Sequence, residues 1–211
     1  MNISSFVLGE IKINIKKKII SNFGRIKALD ILKKTGPSTL YKCSKNENTL
    51  SMALKCFKKL KLRKSEILKI KNLIFVTESP VKLFPGNGYL FASKTSLEKD
   101  INIIDINSGC TGFVDALKIA NGFKEKTLIV CSENYSKHMK KFNRSVSTLF
   151  SDAASVFVYD KKVFQIKKYI SGIKKDSYND LFCDINSSLE MKGANVYNFT
   201  TSEVIPALKI F

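Results

Sequence analysis

The sequence has a single histidine, no cysteines at Cys-x-x-Cys spacing, and no apolar run long enough to span a bilayer. Its five cysteines are odd in number and widely spaced, which argues against a zinc site and against a disulfide scaffold. The first eight residues lack the basic start and small-residue cleavage site of a secretory signal. These absences predict a cytoplasmic protein without a metal centre or a membrane span.

Arginine is also scarce: Arg25, Arg63 and Arg144 are the only ones, and lysine supplies the rest of the basic excess behind a net charge of +18. The chain is rich in asparagine and isoleucine, which is typical of an AT-rich coding bias. No nucleic-acid-binding motif accompanies the lysines, so we expect no nucleic-acid partner. The charge does favour encounters with an acidic or phosphorylated partner.

Apolar runs and helical spacings alternate along the 211 residues, which are 44% hydrophobic and 26% charged. Strands are predicted over residues 3–8, 73–77, 101–106, 127–131 and 154–159, and helices over 25–34, 48–60 and 111–120. Residues 11–20 favour a strand interrupted by lysines, 161–190 a basic and polar excursion, and 196–211 a helical pattern. Alternating strands and helices predict an α/β fold with a largely parallel sheet.

Local signals mark several boundaries. Asn48 precedes a helical pattern as an N-cap, and Gly36 with Pro37 ends the preceding one. In the helix over residues 111–120 the spacing predicts four buried side chains, namely Phe113, Ala116, Leu117 and Ala120. Each cysteine is by default a small buried hydrophobe, with Cys110 as the exception.

Cys110 follows a predicted buried strand and precedes a predicted helix. Chemistry in open α/β sheets gathers at the carboxyl ends of strands, and a helix N-terminus favours a thiolate. Gly109 and Gly112 permit a sharp turn and a close approach of substrate to the backbone. Cys110 is therefore a candidate nucleophile for an acyl carbon, with its own N–H available to an oxyanion hole. A packed cysteine in a strand–helix turn remains the alternative on these residues alone.

Residues 105–117, DINSGCTGFVDAL, resemble the active-site segment of the 3-oxoacyl-[acyl-carrier-protein] synthase III family. Other segments resemble the family in its own order along nearly the whole chain: residues 33–36, 73–79, 84–85, 128–136, 143–154 and 191–199. The resemblance implies a thiolase-like fold of two similar βαβαβ halves, normally dimeric. It assigns residues 1–165 to a complete N-terminal half, and residues 166–211 to an excursion and the start of a largely missing C-terminal half.

The resemblance also implies an acyltransferase. Cys110 would take an acyl group from acyl-CoA and condense it with malonyl-acyl carrier protein, losing carbon dioxide, in fatty-acid or related biosynthesis. It places four residues at the coenzyme A site: Lys34, Thr35, Arg144 and Gly193. Phe150 would line the acyl pocket, or pack in the core as a lone aromatic. The implied partners are acyl-CoA and acyl carrier protein, in a homodimer or heteromer with no permanently bound cofactor.

Three departures from the family are visible. The catalytic His and Asn of the family fall in its second half, past Phe211, and His138 is expected to be a surface histidine instead. Asp30 stands where the family often has a Trp that stacks on adenine, and residues 151–154 have lost two glycines. The alternative hypothesis is a catalytically silent chain, or one part of an enzyme whose second chain supplies the His and Asn.

Overall fold

The computed structural model describes residues 3–139, 142–185 and 187–209. The strands are β1 (Ile3–Leu8), β2 (Ile11–Asn14), β3 (Thr39–Lys42), β4 (Ile70–Val76), β5 (Asn102–Ile106), β6 (Lys126–Glu133), β7 (Ala153–Tyr159), β8 (Leu181–Phe182) and β9 (Glu190–Met191). The α-helices are α1 (Ile15–Phe23), α2 (Arg25–Thr35), α3 (Thr49–Lys59), α4 (Lys64–Ile67), α5 (Asn87–Ala92), α6 (Gly112–Ala120), α7 (Arg144–Ser147), α8 (Gly193–Phe199) and α9 (Ile205–Leu208). Short 3₁₀ turns cover Tyr135–His138 and Lys175–Ser177, and a π-helical turn covers Thr200–Val204.

The described chain forms two compact units, each assembled from separate segments. The first unit contains residues 3–11, 41–134 and 151–167, and the second contains the rest. A boundary between residues 165 and 166, expected from the family's halves, stays a prediction.

A five-stranded sheet in the order β1-β7-β6-β4-β5 organises the first unit. Strand β4 runs parallel to both β5 and β6, whereas β7 runs antiparallel to β6 and β1. The predicted α/β class and largely parallel sheet are therefore confirmed, with β7 as the one reversed strand among the five.

Side chains of β4 alternate between two hydrophobic clusters, which is why the strand is apolar along its length. Leu73 and Phe75 pack in the cluster that includes α3, and Ile74 and Val76 pack in the cluster that includes α6. Residues of β6 alternate in the same way. The sheet is thus covered by helices on both faces.

Helix α3 begins where the sequence predicts. The Asn48 side chain accepts a hydrogen bond from the Ser51 N–H, and the Ser51 hydroxyl oxygen accepts one from the Asn48 N–H, each 2.9 Å long. This capping box satisfies backbone donors that the first turn leaves open. In α6, by contrast, the predicted burial of Phe113 is wrong: its side chain is 41% exposed.

The predicted strand over residues 11–20 is wrong beyond Asn14. There β2 ends, and the Asn14 side chain accepts a 3.0 Å hydrogen bond from the Lys17 N–H to begin α1. Ile15 and Ile19, one helical turn apart, are buried with Ala28, Ile31 and Leu40 in the cluster of the second unit.

Helix α2 ends at Thr35, as predicted, because Gly36 adopts a φ of 81° that suits glycine. The polar excursion over residues 161–190 holds the 3₁₀ turn and the short strand β8. The helical pattern over 196–211 is confirmed through Leu208, and residues 210–211 lie outside the described part. Among the described helices, none is both long and apolar enough to cross a membrane.

Candidate functional site

Cys110 lies in a tight turn between β5 and α6, as the sequence predicts. The turn is closed by a 3.0 Å hydrogen bond from the Gly112 N–H to the Gly109 carbonyl, and the Ser108 and Thr111 hydroxyls lie 2.9 Å apart. Cys110 is exposed and precedes the first helical residue by two positions. The thiol is thus available to a substrate at the carboxyl end of a parallel strand.

Two glycines shape this turn for different reasons. A Cβ at Gly112 would overlap the Val76 side chain on β4, so the helix start packs directly on the sheet. A Cβ at Gly109 would lie 2.6 Å from a carboxylate oxygen of Glu78. Only glycine lets the Glu78 carboxylate lie against the backbone next to Cys110.

The five cysteines differ sharply in their surroundings. Burial raises the pKa of Cys43 to about 12, helped by the charge of Asp152, and raises the pKa of Cys56. Burial and the charge of Glu133 raise the pKa of Cys131 to about 12. Cys110 and Cys183 are exposed, so the default of a buried cysteine is wrong for Cys183. In the described residues, no group of three or more His, Cys, Asp or Glu side chains suits a metal ion.

Glu133, at the end of β6, organises the loop that follows β4. One of its carboxylate oxygens accepts a 2.8 Å hydrogen bond from the Glu78 N–H. The other accepts hydrogen bonds from the Ser79 hydroxyl at 2.6 Å and the Thr77 hydroxyl at 3.3 Å. One carboxylate therefore holds three consecutive residues of the loop.

Ser79 extends this network to α3. Its hydroxyl accepts a 2.7 Å hydrogen bond from the Asn134 N–H, and its carbonyl accepts a 2.6 Å hydrogen bond from the Thr49 hydroxyl. Ser132 in turn donates a 2.7 Å hydrogen bond to the Thr49 carbonyl. The ends of β4 and β6 and the start of α3 are thus fixed together.

The protonation of Glu133 reflects its position in this network. Burial raises its pKa from 4.5 to about 7, against the lowering effect of the hydrogen bonds from Ser79 and the Glu78 N–H. The nearby charge of Glu78 acts in the same direction as burial. A carboxyl group that titrates near neutral pH therefore lies one loop away from the Cys110 turn.

Lys34 and Thr35, predicted to contact coenzyme A, lie at the end of α2 in the second unit. The Lys34 ammonium forms a 3.0 Å ion pair with Asp30, and both side chains are well exposed. The Thr35 hydroxyl donates a 3.0 Å hydrogen bond to the Ile31 carbonyl. Asp30, which stands where the family often has a Trp, therefore forms an ion pair with Lys34, a residue predicted to bind coenzyme A.

The remaining predicted site residues also belong to the second unit. Arg144 is exposed at the first position of α7, which Asn143 caps with its side chain. The Phe150 ring lies 5.4 Å from that of Tyr135, centroid to centroid. Gly193 begins α8, and a Cβ there would meet the Ser145 side chain at ordinary van der Waals distance.

The structure assigns Cys110 to the first unit and the other five predicted site residues to the second. His138, expected at the surface, is half-buried, and its carbonyl accepts a hydrogen bond from the Leu189 N–H. Glu78 was not among the site residues predicted from the sequence. The sequence feature that pointed to it is a carboxylate placed directly after a predicted buried strand, which in the structure neighbours the strand leading to Cys110.

Comparison with known proteins finds chains of similar sequence and solved structures of similar fold. Residues 104–172, which include Cys110, match the family described as 3-oxoacyl-[acyl-carrier-protein] synthase III. The β-ketoacyl-[acyl-carrier-protein] synthase III of Clostridium botulinum strain 657 is 30% identical over 167 residues, covering 74% of this chain and 48% of the relative. The Campylobacter jejuni protein of the same name is 27% identical over 216 residues. The matched region covers 89% of this chain and 64% of the relative.

Solved structures show the same fold. A 3-oxoacyl-(acyl-carrier-protein) synthase III superposes with a TM-score of 0.86 at 20% identity, covering 98% of this chain and 71% of that one. The synthase III of Thermus thermophilus superposes with a TM-score of 0.80 at 22% identity. The superposition covers 94% of this chain and 66% of the Thermus chain. The predicted resemblance and the thiolase-like fold are confirmed. The chain spans about half the length of several of the curated relatives that it matches.

Proposed function

We propose that this chain, which is similar in sequence and fold to the 3-oxoacyl-[acyl-carrier-protein] synthase III family, accepts an acyl group on Cys110. The observation that carries the proposal is the exposed thiol of Cys110, in a strand–turn–helix setting inside the segment that matches the family. Three of the other four cysteines are less suited, because burial raises the pKa of each.

The donor in this proposal is acyl-CoA. The Cys110 sulfur attacks the thioester carbon, and coenzyme A leaves as a thiol. By resemblance, Lys34, Thr35, Arg144 and Gly193 bind coenzyme A, and Phe150 lines the acyl pocket. Condensation with malonyl-acyl carrier protein, with loss of carbon dioxide, would complete a step in fatty-acid or related acyl-chain biosynthesis.

Incubation with acetyl-CoA or a longer acyl-CoA, followed by intact-mass measurement, tests the nucleophile. The wild type should gain one acyl mass, and Cys110→Ser should gain none. Cys183→Ser is the matched control, because Cys183 is also exposed, and it should acylate like the wild type. An adduct that persists in Cys110→Ser would refute the assignment.

Acyl carrier protein is the proposed protein partner, in a homodimer or heteromer of this chain. A net charge of +18 favours an acidic partner, through an attraction that weakens as salt screens it. Binding should be compared between acyl carrier protein and an unrelated acidic protein of equal charge over a salt series. Equal affinities would show that the charge provides attraction without recognition.

Native mass measurement determines whether this chain forms a homodimer or a heteromer.

A second candidate, a silent subunit or one that needs another chain, is favoured by the Asp30–Lys34 ion pair. The pair puts a carboxylate at the position where the family stacks adenine, and occupies a lysine expected to meet coenzyme A. Carbon dioxide release from malonyl-acyl carrier protein by the acylated chain separates the two candidates. Release by the chain alone supports the complete reaction, whereas an acyl adduct without release supports the second candidate.

A further inference from the structure

The loop after β4 and the turn after β5 leave the sheet side by side. The two strands are parallel neighbours, with Val76 opposite Ile106 in the register. The ladder continues one bond further, because the Thr77 N–H donates a 3.0 Å hydrogen bond to the Ile106 carbonyl. Glu78 is therefore the first residue beyond this ladder, beside the start of the turn that carries Cys110.

Contact between the loop and the turn is made by the Glu78 carboxylate itself. A Cβ on Gly109 would lie 2.6 Å from one oxygen of Glu78 and 3.1 Å from the other. Both oxygens thus lie against the residue that is peptide-bonded to Cys110. A side chain at position 109 would displace the carboxylate, and glycine leaves it in place.

The backbone of Glu78 is fixed while its side chain stays exposed. Glu133 accepts the Glu78 N–H, and the next residue, Ser79, is held by Glu133, Asn134 and Thr49. Both oxygens of Glu133 already accept hydrogen bonds from the loop, so Glu133 serves to position it. Glu78 is the carboxylate that faces the Cys110 turn, on the exposed side.

We infer that Glu78 is a catalytic residue, the group that exchanges a proton with the Cys110 thiol and the leaving thiol during acyl transfer. This inference rests on the proposed function. The Cys110 sulfur bonds to the acyl carbon, and the bond from that carbon to the sulfur of the leaving thiol breaks. The Glu78 carboxylate takes the Cys110 proton and gives it to the departing thiolate. Glu78 ends the step unchanged, and no oxidant or reductant is needed.

The test compares Glu78→Gln with the wild type in two reactions of Cys110. Acylation by acetyl-CoA, timed by intact mass, should slow by about 100-fold, because the amide cannot exchange the proton. Alkylation by iodoacetamide should slow much less, because it needs the Cys110 proton removed but its iodide leaving group takes no proton back. Alkylation that persists also shows that the turn has kept its structure.

Two further variants complete the design. Glu125→Gln is the matched control: Glu125 is exposed just before β6, at the opposite end of that strand from Glu133, and both reactions should keep wild-type rates. Glu78→Asp keeps the carboxylate and should recover much of the acylation that Glu78→Gln loses, which also covers the case of a Gln variant that fails to fold.

The outcomes are distinguishable. Selective loss of acylation in Glu78→Gln, with recovery in Glu78→Asp, supports the role of Glu78. Equal acylation rates in Glu78→Gln and Glu125→Gln would overturn it and leave the acyl-acceptor function standing. Slowing of both reactions to the same extent would show a structural role only and overturn the inference. A wild type that forms no adduct would overturn the proposed function and this inference together.

Discussion

The Asp105 carboxylate accepts a 2.7 Å hydrogen bond from the Gly88 N–H, which ties strand β5 to the first turn of helix α5. The Asn87 N–H also donates to this carboxylate, and the backbone of Gly86 packs against it. Asp105 thus caps a helix from a strand seventeen positions further along the chain. It fixes the segment after the Glu78 loop onto the strand that leads to Cys110.

Replacing Asp105 by Ala should lower the free energy of unfolding by roughly 1–3 kcal/mol, because the backbone N–H groups of Asn87 and Gly88 lose their carboxylate acceptor. Urea titration measures the change. Asp100→Ala is the control: Asp100 forms only an exposed ion pair with Lys71, so its loss should lower the free energy of unfolding much less. Equal losses in the two variants would contradict the capping role.

Gly112→Ala should destabilise the protein by roughly 1–3 kcal/mol, because the added methyl group overlaps the Val76 side chain. In a Val76→Ala background the same change should cost less, since the space is then available. A double-mutant cycle measured by urea titration gives this coupling. Gly172→Ala, where a Cβ would meet nothing within 4 Å, should be nearly neutral. Additive losses would exclude the contact.

The stability of the protein should depend on pH through Glu133. Its pKa in the folded state is raised from 4.5 to about 7, so between these values the folded state holds a proton that the unfolded state has released. This contribution is fully present below pH 4.5 and is lost as the pH rises through 7, for a total of up to about 3 kcal/mol.

Glu133→Gln should remove this dependence, because glutamine does not titrate and keeps an oxygen for the Glu78 N–H. The measurement is the free energy of unfolding of both proteins from pH 4 to 8. The wild-type curve should fall relative to the variant between pH 4.5 and 7 and then run parallel to it. Parallel curves over the whole range would show that the carboxyl group titrates normally.

Thiol alkylation should separate the five cysteines. A pKa raised from 9.0 to about 12 leaves Cys43 and Cys131 with about 1,000-fold less thiolate near neutral pH, so both should resist iodoacetamide in the folded protein. Cys110 and Cys183, which are exposed, should react first. Peptide mapping after timed exposure to iodoacetamide gives the order in which the cysteines react. In urea, where the fold is lost, all five should react. Fast native labelling of Cys131 would contradict its burial.

Local signals predicted much of the first unit, since they depend on residues close in sequence. The Asn48 cap and the apolar run of β4 belong to this class, as does the strand–turn–helix around Cys110. The strand predicted over the region of α1 was wrong because Ile11, Ile13 and Ile15 alternate with polar residues, a spacing that is typical of a strand. Asn14, an N-cap inside that alternation, was the available contrary signal.

Features that depend on strand register and topology could not be predicted from the local sequence pattern. The reversed direction of β7 and the assembly of each unit from separate chain segments depend on contacts between residues distant in sequence. Glu78 and Gly109 are 31 positions apart, and only the pairing of β4 with β5 brings them together. The same holds for Glu133, whose raised pKa arises from a loop that follows another strand.

The shielding of three thiols has a practical consequence for ligand discovery. Because Cys43, Cys56 and Cys131 are protected by the fold, a Cys183→Ser variant would present one addressable sulfur, at the turn after β5. Disulfide-forming fragments would then be captured at Cys110 alone. The chemical preferences of whatever binds beside this turn could be mapped directly, without engineering away the interior cysteines.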